Sequence, residues 1–382
     1  MQVTISVGGR FHAFYLAQQL LKRGYLAKLI TSYPKFEVVK YGIPKDNVDS
    51  VIIKEIMQRG WGKLPNWLKN SYNPQYLIHE IYDKWVSKIY KKSDIVVAWS
   101  SFGLHTIRKA KGMGAITVLF RGSSHILYQN KILEEEYKKF GLKYNAVHPK
   151  IIEKELKEYE KANYIQIPSI YAKRTFLAQG IPESKLIYVP LGVSISEFKP
   201  IPKNDNIFRI IYAGGMTLQK GVHYLLQAYS ELRLPNSELL LVGRISDEIK
   251  PFFKKYEGKY KWVGHVPQKE LYKYYSQSSV FVHMSIQEGL SLVIPQAMAC
   301  GLPVICTTNT GGEDIVRDGI DGFIIPIRDV EALKEKLFYL YENPDTCKAM
   351  GQSAKERVSK GFTWDDYGER IIREYKRILA KR

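Results

Sequence analysis

Short apolar runs recur along this chain, each ended by glycine or polar residues and most followed by a segment with helical spacing. Val3-Thr4-Ile5-Ser6-Val7 predicts a strand, and Gly8-Gly9-Arg10 ends it. Over residues 11–23, Phe14, Ala17, Leu20 and Leu21 fall on one helical face, and Gly24 closes the segment. Residues 27–30, 95–99 and 115–119 predict further strands, with a helix over 106–111. Residues 130–161 are charge-rich and predict helix; 165–169 and 186–190 predict short strands.

The second half repeats that grammar. Residues 209–213 predict a strand and Gly214-Gly215 a turn. Residues 222–232 then predict a helix with Val222, Leu225, Leu226, Tyr229 and Leu232 on one face. Strands follow at 239–242, 260–263, 280–283, 304–307 and 323–326, and a terminal helix at 367–379. The segment 199–206, KPIPKNDN, has two prolines and no hydrophobic period, so the domain linker is placed there. Two successive strand–glycine–helix modules predict two Rossmann-like α/β domains facing a central cleft.

Length and charge refine the picture. A chain of 382 residues is long for one core. The formal charge is +19. Residues 1–197 hold 30 Lys/Arg against 16 Asp/Glu, and the remainder 27 against 22, so the surplus sits mainly in the first half. Such a surplus suits an anionic partner. No nucleic-acid module is present and the basic residues are dispersed, so no nucleic-acid partner is expected. Three cysteines without a CxxC pair predict neither structural disulfides nor a zinc site, and fit a reducing cytosol. No run of about 18 apolar residues predicts a membrane span.

Two segments carry candidate chemistry. Gly214 to Gly221, GGMTLQKG, lies between a strand and a helix, where ligands of open α/β folds bind. Its small residues admit a phosphate, and Lys220 can place a charge on it. The GK[ST] order of a Walker A loop is missing. The second segment, EGLSLVIPQAMACGLPVICT at 288–307, predicts a turn at Glu288-Gly289, a buried helix over 291–299 and a strand. Glu288 and Gln296 sit at that helix entrance, where unpaired N–H groups attract anions. A carboxylate accepts from sugar hydroxyls, and an amide both accepts and donates.

With those blocks go LLLVGR at 239–244, WVGHVPQKELYKYYSQSSVFVHMS at 262–285 and GGEDIVRDGIDGFIIP at 311–326. In order and spacing the five blocks resemble family 4 of the retaining nucleotide-sugar glycosyltransferases, glycosyl transferases group 1. YVPLGVSISEFKP at 188–200 resembles that family's crossover, and FTWDDYGERIIREYKRIL at 362–379 its returning helix. The resemblance covers nearly the whole chain and is sharpest from residue 186 onward.

The resemblance implies a GT-B fold. An acceptor domain would span residues 1–198, joined by the terminal helix at about 363–382, and a nucleotide-sugar-binding domain 199–362. Lys220 would hold the donor diphosphate and Glu288 would face the transferred sugar. The amides of Gly289, Leu290 and Ser291 would face the phosphates, Gln296 the ribose, and Val263-Gly264-His265 the base. His125, in FRGSSH, would face the sugar, and Gly8-Gly9 would form the first-domain loop over the diphosphate. Gly214 and Gly215 would line the donor turn. Three positions depart from the family pattern. Gln296 stands where an acid is usual, Gly215 where an arginine is usual, and Ser194 where an aspartate is usual. Arg244 or Arg10 could replace the missing cation.

The expected reaction is retaining, metal-independent transfer of a hexose-type sugar to a glycan or lipid-linked acceptor, in cell-surface polysaccharide or glycolipid synthesis. No cofactor and no metal are expected, because no Asp-x-Asp is present and Lys220, a helix N-terminus and glycine amides can carry the leaving charge. The mixture of Trp and Lys at residues 61–69, Lys84-Trp85 and 88–92 predicts peripheral contact of a cytoplasmic protein with an anionic membrane face. Two alternatives remain open: a glycosyltransferase-like binding protein with impaired catalysis, motivated by Gly215 and Gln296, and a nucleotide-sugar epimerase of the same fold.

Overall fold

The computed structural model describes residues 1–65, 67 and 72–381. In the first half the strands are β1 Val3–Val7, β2 Leu26–Thr31, β3 Val48–Ser50, β4 Ile95–Trp99, β5 Ile116–Phe120, β6 Tyr164–Ile167 and β7 Leu186–Tyr188. They form one parallel sheet in the order β3-β2-β1-β4-β5-β6-β7. In the second half they are β8 Phe208–Ala213, β9 Ser237–Val242, β10 Lys261–Gly264, β11 Val280–His283, β12 Val304–Thr307 and β13 Gly322–Ile325. These form a second parallel sheet, β10-β9-β8-β11-β12-β13. In each sheet the strand order reverses once, between β1 and β4 and between β8 and β11. A reversal opens a crevice at the C-terminal strand ends.

The central strands are legible because helices cover both sheet faces. Every residue of β1, β4, β5, β11 and β12 is buried, and β4, β5, β11 and β12 read as mainly apolar runs, whereas β1 buries Thr4 and Ser6 between its apolar residues. Strand β3 is a three-residue edge strand with one buried residue and gives no such signal. The charge-rich stretch 130–161 is two helices, Ile126–Lys139 and Pro149–Lys161, separated by coil. The helix after β11 is Val293–Ala299 and starts two residues later than its sequence predicts.

Helix Ile126–Lys139 belongs to the first half by sequence but packs on the second. Ile132 and Leu133 share a buried cluster with Met216, Tyr224 and Leu225. On the same helix Glu136 accepts from Tyr224 Oη at 2.8 Å and Arg328 Nε at 2.6 Å, and pairs with His223 Nε2 at 3.2 Å. The buried carboxylate thereby has three partners from the opposite domain, which keeps it charged without a desolvation deficit.

The chain crosses between domains at Leu191–Val193 and returns beside the same point. Val193 N–H donates to the Phe362 carbonyl at 2.8 Å, and Val193 bridges Thr363. The proline-rich coil after the crossing runs along the second domain, with Ile201 N–H on Ser276 Oγ at 3.1 Å and Lys203 Nζ on Ser279 Oγ at 2.9 Å.

The terminal helix, Trp364–Ala380, starts with a capping box between Thr363 and Asp366. Its buried face, Tyr367, Gly368, Ile371, Ile372, Tyr375 and Ile378, has helical spacing. That face packs on helix Ala13–Lys22 of the first domain. Gln166 of β6 ties it down, accepting from Tyr375 Oη at 2.9 Å and donating to Tyr367 Oη at 3.2 Å. Among the described residues no helix is long and apolar enough to cross a membrane.

Candidate functional site

Lys220 and Glu288 meet at the strand-order reversal of the second sheet. Lys220 lies in the turn after β8, Glu288 in the loop after β11. The turn presses close because Gly221 has φ of +65° and a Cβ there would lie 1.9 Å from the Met284 carbonyl oxygen. Only glycine fits that approach. Lys220 Nζ donates to Glu288 Oε1. Ser285 Oγ donates to the same oxygen at 2.9 Å, and His283 Nε2 lies 3.5 Å from it. Burial alone would favour the neutral acid, but the Lys220 ammonium and His283 outweigh it and hold the Glu288 carboxyl down to about 2. Burial pushes His283 below its ordinary value.

The loop that carries Glu288 is clasped by the first domain. Gln287 Nε2 donates to Ser123 Oγ at 2.6 Å and Ser124 Oγ at 2.9 Å. Gln219 Nε2 supports the Gln287 carbonyl at 2.9 Å. Gly289 lies against the Gly122 backbone, where a Cβ would be 2.0 Å from the carbonyl oxygen. The Gly289 carbonyl accepts from Ser169 Oγ at 2.5 Å. Gln287, Ser123 and Ser124 carry no signal in the sequence. Their role depends on residues 163 and 164 positions apart, and no local pattern encodes it.

Beside this seam lies an interdomain cleft of about 540 Å³. Gly8, Gly9 and His12 line it from the first domain, Gln268 and Gln296 from the second, and Gly192 from the crossover. Gln296 is not at the entrance of its helix. It is the fourth residue of Val293–Ala299, buried, and lines the cleft together with Gly8 and Gly9. His12 was not singled out from sequence. Its Nε2 is buried without a partner among the described residues, the ring lies 4.5 Å from that of Phe120, and burial pushes the imidazole down to about 3.

The other candidate residues fall into three groups. Gly214 and Arg244 follow the ends of β8 and β9, and Gly264 is the last residue of β10. Gly214 N–H donates to Val242 O at 2.9 Å and Gly243 N–H to Gly264 O at 2.7 Å, which sets the three loops side by side. Arg244 and His265 are exposed there, and Val263 is half-buried. At Gly215 a Cβ would meet nothing within 4 Å. Of the three amides expected on phosphate, Ser291 N–H already donates to Thr310 O at 3.1 Å. The amides of Gly289 and Leu290 have no acceptor among the described residues.

His125 caps helix Ile126–Lys139, its Nδ1 accepting from Leu127 N–H at 3.3 Å. Its ring packs on Tyr159 and Phe176 at 4.9 and 5.0 Å, and burial with Arg121 nearby pushes it down to about 4. No described contact joins it to Lys220 or Glu288. Part of the Trp/Lys segment at 61–69 lies outside the described residues.

Among the described residues one cluster has metal-like spacing, Glu80, Asp83 and His105. Lys154 Nζ already fills its centre, at 2.7 Å from Glu80 and 3.0 Å from Asp83. The ammonium takes the place a cation would occupy, so these residues do not fit a metal.

Residues 194–357 match the family described as Glycosyl transferases group 1. An uncharacterized glycosyltransferase of Methanocaldococcus jannaschii is 25% identical over 265 residues, 65% of each chain. A trehalose synthase of Pyrococcus horikoshii is 30% identical over 40% of each chain. The capsular polysaccharide biosynthesis glycosyltransferase CapM of Staphylococcus aureus is 30% identical over 47% of this chain and 48% of its own. The alignments thus span less than two thirds of these relatives. Among solved structures, a sucrose-phosphate synthase from Thermosynechococcus elongatus superposes over 100% of both chains with TM-score 0.73 at 18% identity. Anabaena HepE, in complex with UDP and glucose, covers 98% of this chain and 99% of its own with TM-score 0.71 at 15% identity. These likenesses extend the fold to the whole chain, and the group 1 match covers the sheet that carries Lys220 and Glu288. Residues 194–357 are thus similar to the glycosyl transferases group 1, and the whole chain has the GT-B fold.

Proposed function

We propose that this protein transfers a hexose-type sugar from a nucleotide diphosphate sugar to a glycan or lipid-linked acceptor, with retention of anomeric configuration, in cell-surface polysaccharide or glycolipid synthesis. The observation that carries the reading is the Lys220–Glu288 pair at the reversal between β8 and β11, beside the unpaired amides of Gly289 and Leu290. The two charges neutralise each other. An arriving diphosphate competes for the Lys220 ammonium, and the sugar's hydroxyls take its place on the carboxylate.

In this reading Lys220 and the two amides stabilise charge on the leaving diphosphate. Glu288, charged at neutral pH, accepts from the sugar. Gln296 reaches the ribose from the cleft. Val263, Gly264 and His265 border the base, while Gly214, Gly215 and Arg244 border the phosphates. Gly8 and Gly9 cover the diphosphate from the first domain. His125 holds the loop bearing Ser123 and Ser124. The bond from the anomeric carbon to phosphate oxygen breaks, the acceptor oxygen bonds that carbon on the same face, and its proton passes to the released phosphate. These residues supply the positive field at the leaving group, so no step is assigned to a metal.

A thermal-shift screen against uridine, guanosine and adenosine diphosphate sugars tests donor binding, and release of free nucleoside diphosphate tests transfer. No shift with any of them removes the proposal. Binding without turnover would favour the impaired alternative, and a changed sugar with no transfer would favour epimerisation.

The same proposal places the first domain against an anionic membrane. Trp67 and Trp85 are 70% and 52% exposed, and Lys63, Lys84 and Lys88 lie close in sequence. Absence of co-sedimentation with anionic liposomes at low salt would remove this part.

A further inference from the structure

The first domain carries a second groove, separate from the interdomain cleft. It has a volume of about 880 Å³ and runs between helices Ile53–Gly62 and Gln75–Ile89. Gln58 lines both the groove and the cleft, so the two spaces adjoin. Their common wall is continuous: Gly8 packs on Phe102, and the Phe102 ring lies 4.1 Å from that of His79, which lines the groove.

The chemistry of the lining is unlike the rest of the molecule. The chain has 57 Lys/Arg and 38 Asp/Glu, yet none of the described residues lining the groove is one of them. The cleft next to it holds Arg10, Lys54 and Glu55. In the groove are two aromatic rings, Trp61 and Tyr72, at 5.9 Å and 74° to one another. Four side-chain amides accompany them: Gln58, Asn73, Gln75 and Asn145. His79 adds a buried Nδ1 with no partner among the described residues.

A phosphate or a lipid headgroup would call for cations, and none is among the described residues of the lining. An acyl chain would call for a continuous apolar surface, which four amides interrupt. An uncharged sugar fits both features. Its C–H face packs on an aromatic ring, and its hydroxyls exchange hydrogen bonds with amides that donate and accept.

We propose that this groove is a subsite for an uncharged sugar unit of the acceptor, which is therefore a glycan of at least two units, with its reactive end in the cleft and the preceding unit on Trp61. The inference rests on the transferase reading above and names the class of its acceptor.

Intrinsic fluorescence titration of the full chain without nucleotide sugar tests it. The probes are maltose, cellobiose, mannobiose and lactose, against glucose, galactose and mannose. At least one disaccharide binds roughly ten-fold more tightly than its monosaccharide. Trp61→Ala and Gln75→Ala each lose that preference while keeping the thermal shift with nucleoside diphosphate. The second variant alters only an exposed amide, so it remains informative if the first fails to fold. Equal binding of mono- and disaccharides, or no saccharide response at all, overturns the subsite. So does a Trp61-dependent response to phosphatidylglycerol vesicles alone. A chain that responds to nucleoside diphosphate but to no disaccharide loses this inference only; one that responds to neither loses the transferase reading as well.

Discussion

Gln287 of the second domain donates to Ser123 Oγ of the first at 2.6 Å, one residue before the Glu288 that pairs with Lys220. The Glu288 carboxylate is therefore held next to a contact across the domain seam.

Gln287→Ala removes the bonds to Ser123 and Ser124. The expected cost is about 1–2 kcal/mol of interdomain stability. Small-angle scattering should show a larger radius of gyration for the variant, and kcat/KM should fall with the fold intact. An unchanged radius together with unchanged activity would mean that helix Ile126–Lys139 alone holds the domains closed.

Glu288 makes stability depend on pH in a stated window. Its carboxyl is lowered from 4.5 to about 2 in the folded chain. The stabilisation is fully present above about 4.5 and is lost as pH falls through about 2. Its size is a few kcal/mol. Urea unfolding between pH 5 and 2 should show the wild type losing stability more steeply than Glu288→Gln. Parallel curves for the two would count against the Lys220 pair as the cause.

Gly215→Arg should restore a diphosphate clamp. No atom lies within 4 Å of a Cβ at that position, and its φ is not positive, so the side chain enters without strain. A charge-assisted hydrogen bond adds about 1.5–3 kcal/mol. Calorimetry should show nucleoside diphosphate binding roughly ten- to a hundred-fold tighter, with Tm nearly unchanged. Unchanged affinity would place the diphosphate away from Gly215.

Gly368→Leu tests the docking of the terminal helix. A Cβ there would lie 2.5 Å from Gln19 Oε1 and 2.9 Å from Arg23 Nη1. Overpacking of this kind costs about 1–3 kcal/mol. A lowered Tm with secondary structure retained is expected, and an unaltered Tm would show that helix Ala13–Lys22 yields freely.

The predicted strands at 280–283 and 304–307 and the helix at 222–232 coincide with β11, β12 and Val222–Leu232. Complete burial gives such strands an unbroken apolar run, and one-sided burial gives the helix its period. Val48–Ser50 escaped because a short edge strand needs little apolar content. Gln296 drew attention as a departure from the family pattern, but its place in the cleft, away from the helix entrance, was not legible. His12 and Gln287 carried no signal, since a lone histidine or glutamine has no periodicity.

The residues of the chain determined by themselves the two α/β modules, the glycine turn before Lys220 and the acid at Glu288, because each follows from local spacing and backbone sterics. Only the tertiary structure decided that Lys220 meets Glu288, that Gln287 reaches Ser123, that helix Ile126–Lys139 packs on the opposite domain and that an uncharged groove adjoins the cleft. Those pairings join residues tens to more than a hundred positions apart. They arise from how two cores are folded and pressed together, which no local pattern of hydrophobic and polar positions contains.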